Sequence, residues 1–117
     1  MTNSKTVRLR VMQGDTIAFG PGKAALLLAI DRTGSISGAA REMEMSYRRA
    51  WLLVEEMNRC FNQPLVETAT GGAKGGGASI TALAREVVAC YQRMQKKADS
   101  AIEKDMQHLQ SLIVGKD

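Results

Sequence analysis

Aromatic residues are scarce: one Trp, two Tyr and two Phe among 117 residues. That excludes an aromatic-dominated interior, so Leu, Val, Ile, Met and Ala must build the core. Long apolar runs are missing too. The longest, Ala24 to Ile30, falls far short of the ~20 residues that a helix needs to cross a bilayer. No basic-then-apolar leader pattern opens the chain, so the expectation is a cytoplasmic protein without a membrane partner. The only two cysteines, Cys60 and Cys90, show no CxxC spacing, which predicts reduced thiols rather than a disulfide framework or zinc site. His108 is the sole histidine, and the acidic residues are scattered among basic ones. No catalytic set and no carboxylate cluster for a metal emerge, and the chain is not expected to be an enzyme.

What is present fits one compact domain rather than two. The formal net charge is +4 and the pI about 9.3, a balance that suits a polyanionic partner without proving one. Val7-Arg8-Leu9-Arg10-Val11 alternates apolar and basic residues, the period of a half-buried strand. Gln13-Gly14-Asp15 reads as a turn and Thr16 to Phe19 as a returning strand. Pro21 suits the first position of a helix, with Ala24, Leu27, Leu28 and Ile30 on its buried side and Gly34 as its stop. Ser35 caps a short second helix, Ile36 to Met43, in which small Gly38-Ala39-Ala40 permits close helix approach. Met43-Glu44-Met45 turns the chain. Ser46 then caps a third helix to about Phe61, with Ala50, Val54, Met57 and Phe61 on one face and Arg48, Leu52, Glu55, Glu56 and Arg59 opposite. Two short strands, Leu65–Thr68 and Ala78–Ile80, enclose a glycine-rich loop. Thr81 caps a long helix whose apolar positions recur every three or four residues. Unbroken from Ala82 to Ile113, that helix spans roughly 48 Å, more than one small domain can cover. A second copy of the chain can cover it.

The predicted fold is therefore mainly α with a small β wing: a winged helix-turn-helix over residues 1–81, followed by a long C-terminal dimerisation helix and tail over 82–117. In this arrangement the third helix lies in the DNA major groove and its N-terminal turn meets base edges. Candidate DNA contacts are Ser35, Ser37, Ser46, Tyr47, Arg48 and Arg49. Arginine can bond guanine O6 and N7 with two donors, although Arg48 and Arg49 are equally well read as solvated or paired with Glu44 or Glu55. Trp51 is expected to pack the joint between helix and wing, and Tyr47 is balanced between packing and a phosphate contact. The glycine loop fits no nucleotide-binding motif: Gly71 and Gly76 have Walker spacing, but Gly77 and Ala78 stand where Lys and Ser are needed, and Ala73 and Ile80 break both GxGxxG registers. Its expected use is as a wing whose backbone at Gly75 and Gly76 lies along phosphates while Lys74 adds charge. Dimerisation is assigned to Val87, Tyr91, Met94, Ala98, Ile102 and Leu109.

Several of these segments resemble the N-terminal, LysR-type winged-helix domain of the ModE family of molybdate-responsive regulators. They are Gly34-Ser35-Ile36-Ser37 with Ala39-Ala40, Ser46-Tyr47-Arg48 with Ala50-Trp51, Glu56-Met57-Asn58, Leu65-Val66-Glu67, Thr70-Gly71-Gly72, and Gly75-Gly76-Gly77-Ala78 with Thr81. Together they cover about residues 20–100. The resemblance implies dimeric DNA binding and control of molybdate-uptake or molybdoenzyme genes. The family usually carries lysine where Arg48 stands, a change that keeps charge but alters donor geometry. Its ligand is held by tandem C-terminal oxyanion domains, which are not expected in this chain, so no cofactor is assigned and molybdate enters only through the resemblance. The preferred reading is a homodimeric, sequence-specific binder of double-stranded DNA that regulates transcription. The alternatives are a dimerising interaction protein that modulates a full-length regulator, and a small oxyanion-binding protein.

Overall fold

Four of the five helices in the described residues begin at a Pro or at a Ser or Thr cap, and the computed structural model describes residues 7–69 and 77–114. The element order is β1 (Val11–Gln13), β2 (Thr16–Phe19), α1 (Pro21–Thr33), α2 (Ile36–Glu42), α3 (Tyr47–Cys60), β3 (Val66–Ala69), β4 (Gly77–Ile80), α4 (Ala82–Ala101) and α5 (Glu103–Ser111). Pro21 opens α1, and Gly34 closes it at φ 77° with its amide donating to the Ile30 carbonyl. The hydroxyl oxygens of Ser35, Ser46 and Thr81 accept the Gly38, Arg49 and Ala84 amides, satisfying donors that a helix start leaves unpaired. Glu44, in the turn between α2 and α3, carries a left-handed φ of 58°, a conformation that costs a non-glycine residue about 1–2 kcal/mol.

The core lies where α1, α2, α3 and the start of α4 converge. Leu26, Leu27, Ile30, Met57, Leu65 and Phe19 are its largest fully buried side chains. Ala39 and Ala40 are buried in the helix contacts, as their small size predicts. Gly38 serves a different purpose. A Cβ there would meet Ser35 Oγ at 2.9 Å, so its bareness makes room for the cap. Scarce as they are, three aromatics meet edge to face: Phe19 lies 5.3 Å from Tyr91 and 6.2 Å from Phe61 between ring centroids.

The wing strands pair antiparallel with Val66 opposite Ile80 and Ala69 opposite Gly77. They are held to α3 by one side chain. Asn58 Oδ1 accepts the Leu65 and Val66 amides at 2.8 and 3.1 Å, and its Nδ2 donates to the Val66 carbonyl at 3.1 Å.

Three expectations are corrected. The alternating run at the N-terminus is not a strand: β1 begins only at Val11, pairing with β2 around the Gly14-Asp15 loop. Residues 7–10 instead form an extended strap on α4. Tyr91 Oη donates to the Leu9 carbonyl at 2.8 Å, Gln95 Nε2 to the Val7 carbonyl at 2.6 Å, and the Leu9 amide to Gln95 Oε1 at 3.4 Å. The two-residue period survives because Val7 and Leu9 turn inward while Arg8 and Arg10 stay exposed.

The second correction concerns the long helix, which is not unbroken to Ile113. It is interrupted at Ile102 (φ −104°, ψ 9°) and ends at Ser111. Bonds from the Ile102 amide to Ala98 and from Met106 to Ile102 carry the chain across the interruption.

The third is Tyr91, assigned to the dimer seam but buried in the core of its own protomer, as are Ala84 and Val88. The first turns of α4 thus complete the winged helix, and the core does not stop at residue 81. Burial pushes the Tyr91 phenol above its ordinary range, while Arg10 and then Arg8 pull it back.

Asn58→Ala removes three bonds and strands the amides of buried Leu65 and Val66. A loss of about 1–3 kcal/mol in unfolding free energy is expected, measurable by urea denaturation with an unchanged m value.

Candidate nucleic-acid interface

The cap on α3 decides what its first turn offers. Ser46 Oγ accepts the Arg49 amide at 3.0 Å, which leaves its hydroxyl hydrogen free to donate outward. Tyr47 and Arg48 follow on the exposed surface, and Tyr47 is 55 % exposed. The buried side of the helix is Ala50, Val54 and Met57, so Arg48, Leu52, Glu55 and Arg59 point away from the core, as their spacing predicts. Neither Arg48 nor Arg49 forms an ion pair among the described residues.

One flank of this face is a cleft of about 360 Å³ between helices and wing, lined by Ser35, Ser37, Tyr47, Trp51, Thr68 and Gly77 among others. The structure thus brings Ser35, Ser37 and Tyr47 together. Ser35 Oγ is engaged by the Gly38 amide at 2.8 Å, and like Ser46 it keeps a hydroxyl hydrogen to give. Trp51 does not close the joint between helix and wing. It stands in the joint but remains 42 % exposed, available beside Tyr47 as an aromatic surface. The wing is placed by a bond from the Ala78 amide to the Gly34 carbonyl at 2.9 Å. A Cβ on Gly77 would meet that carbonyl oxygen at 3.3 Å, so glycine suits this close approach. Lys74, Gly75 and Gly76, the expected phosphate contacts at the wing tip, lie outside the described residues.

The other flank holds what sequence reasoning missed. Lys23 is only 5 % exposed, and its ammonium donates to the Ile17 carbonyl and to Glu56 Oε1. Glu56, expected among the solvated residues, therefore ties α3 to the start of α1. A signal existed. Lys23 continues the stripe Leu26, Leu27, Ile30 at helical spacing, so it had to be buried, and a buried ammonium requires partners.

An arrangement of three helices and a tethered hairpin, with an exposed, capped third helix, is that of a winged helix-turn-helix. Residues 23–85 match the model of the bacterial regulatory helix-turn-helix proteins, lysR family. The chain belongs to that family. It is 40 % identical over 99 residues to the molybdenum-pterin-binding protein MopB of Rhodobacter capsulatus, covering 82 % of this chain and 37 % of that protein. It is 35 % identical to the molybdenum transport protein ModE of Azotobacter vinelandii, covering 84 % of this chain and 36 % of that one. To the DNA-binding transcriptional dual regulator ModE of Escherichia coli K12 it is 38 % identical over 97 residues, 80 % of this chain and 37 % of that protein. The chain thus spans little more than a third of the length of these relatives.

Within this family member, the Lys23–Glu56 pair sets the seat of α3. Lys23→Ala leaves Glu56 beside an apolar gap, and about 1–3 kcal/mol of stability should be lost. The loss stays below the ~3–5 kcal/mol of a fully buried pair because Glu56 still reaches water. The double variant K23M/E56L, which removes both charges, should recover most of it in thermal unfolding.

Proposed function

We propose that this chain is a sequence-specific, double-stranded-DNA-binding transcriptional regulator that acts as a homodimer on genes of molybdate transport or molybdoenzymes. The observation that carries the reading is the Ser46-capped start of α3. It presents exposed Tyr47 and Arg48 beside the wing cleft, where a recognition helix meets base edges. The gene class rests on the similarity to the ModE and MopB proteins. We assign the reaction class as binding without catalysis. None of the helices in the described residues is long and apolar enough to cross a membrane, and we place the protein with its DNA in the cytoplasm.

Arg48 is the proposed base reader. Arg48→Ala should leave thermal unfolding nearly unchanged while costing roughly 1–3 kcal/mol of discrimination at one base position per half-site. Selection on randomised DNA with both proteins checks this. Identical motifs at equal stringency would remove Arg48 from base reading.

The homodimer is supported by the C-terminal helices. None of the α5 residues is buried, Met94 is 40 % and Leu109 56 % exposed, and Ala98 and Ile102 are half-buried. The molecule extends 57 Å along one axis against 32 and 26 Å on the others, as a helix projecting beyond its own core requires. Val87 already packs partly against that core, so the proposed seam is centred on Met94, Ala98, Ile102 and Leu109. Replacing Met94 and Ile102 by Glu should yield monomers in sedimentation velocity at micromolar concentration. A full dimer would place the interface elsewhere.

A further inference from the structure

The flank of α3 opposite the wing carries a second charged feature. A cleft of about 330 Å³ opens between the strap, the start of α1 and the first turns of α3, and Arg8, Arg10, Lys23 and Arg49 line it with Gly20 and Gly22. Lys23 is committed to Glu56, but Arg8, Arg10 and Arg49 have no acidic partner among the described residues. The one carboxylate in the lining, Glu56, is paired with Lys23, so three guanidinium groups border the concavity in excess of its negative charge. Such an arrangement self-repels unless an anion occupies it.

The two strap arginines are also held in place. Tyr91 and Gln95 fix the backbone of Val7 and Leu9 to α4, so the intervening Arg8 and the following Arg10 leave from an anchored chain. Gly22 has open space where a Cβ would stand, which lets a ligand approach the backbone at the head of α1.

Position then selects the anion. Arg49 belongs to the same first turn as Arg48 but faces the strap and the start of α1, whereas Tyr47 and Trp51 face the wing. A helix of ~10–12 Å diameter fills a major groove about 12 Å wide, so both of its flanks must meet a phosphate strand. The wing cleft serves one strand. We propose that the Arg8–Arg10–Arg49 cleft is a second phosphate-binding site, taking one backbone phosphate of the opposite strand of duplex DNA. Arg49 is thus a phosphate contact and not a base reader. The proposal rests on the DNA-binding reading above and adds to it a site that joins the strap to the first turn of α3.

The test compares wild type with R8A/R10A on a selected operator and on a random duplex of equal length, across a range of KCl concentrations. Both duplexes should be bound more weakly by the same factor. The slope of log affinity against log salt should fall by about one unit per protomer, and the motif selected from randomised DNA should stay the same. R49A, on a separate element, should lower the slope equally, which covers the case in which the alanines unseat the strap. R8K/R10K should keep the wild-type slope. Wild-type slopes for both R8A/R10A and R49A would overturn the phosphate site while leaving DNA binding by α3 intact. Absence of salt-dependent binding by wild type itself would overturn both. Inorganic phosphate provides the remaining arm. If it saturates the Gly22 and Arg49 amide shifts below millimolar concentration, and R8A/R10A binds DNA like wild type, the cleft is a free-oxyanion site and the proposal fails.

Discussion

The hydrogen bond from the Ala78 amide to the Gly34 carbonyl joins the wing to the turn between α1 and α2. Much of the interface depends on it. Gly34 can offer that carbonyl because its left-handed φ ends α1 and turns the chain directly into the Ser35 cap. Gly77 fits beside it without the crowding that a Cβ at 3.3 Å from that oxygen would bring. Asn58 completes the frame from the other side, bonding β3 to α3. The wing, the head of α2 and α3 are therefore fixed to one another through backbone groups and the Asn58 amide. Side chains such as Tyr47, Arg48 and Trp51 stay exposed beside this frame.

That division of labour explains the surface of α3. Its buried stripe is short and composed of Ala50, Val54 and Met57, and the Lys23–Glu56 pair adds a polar tether at one edge. Everything else on the first turn is accessible. In the proposed binding mode the helix lies between two phosphate strands, with hydroxyl donors and the wing backbone on one side and guanidinium groups on the other. Backbone contacts of this kind fix register, and the central side chains supply sequence information.

Much of this architecture was legible in the sequence because local chemistry determines it. Pro21, Gly34, Ser35, Ser46 and Thr81 mark helix ends that lie within one or two residues of those observed, and the glycines announce the wing. The fold class and family followed from the same residues. The failures share a physical cause: periodicity reports which side of a segment is buried, but not against what. Val7 to Val11 alternates because one side meets α4, not because it pairs in a sheet. Tyr91 recurs at the spacing of a dimer seam, yet it points into its own core and bonds the strap. The interruption at Ile102 has neither Gly nor Pro to announce it. Glu56 sits on the apparent polar face of α3, and only its partnership with a lysine on another helix reveals its role.

The central claim is that the Ser46-capped turn of α3 and the wing root form one DNA-facing surface. Amide chemical shifts of the isotopically labelled chain, followed during titration with a short duplex, test it most directly. The account predicts the largest changes at Ser35 to Ser37, Tyr47 to Arg49 and Gly77 to Ala78, with core amides such as Leu27 and Ala84 unmoved. Changes confined to α5, with the first turn of α3 unaffected, would contradict it.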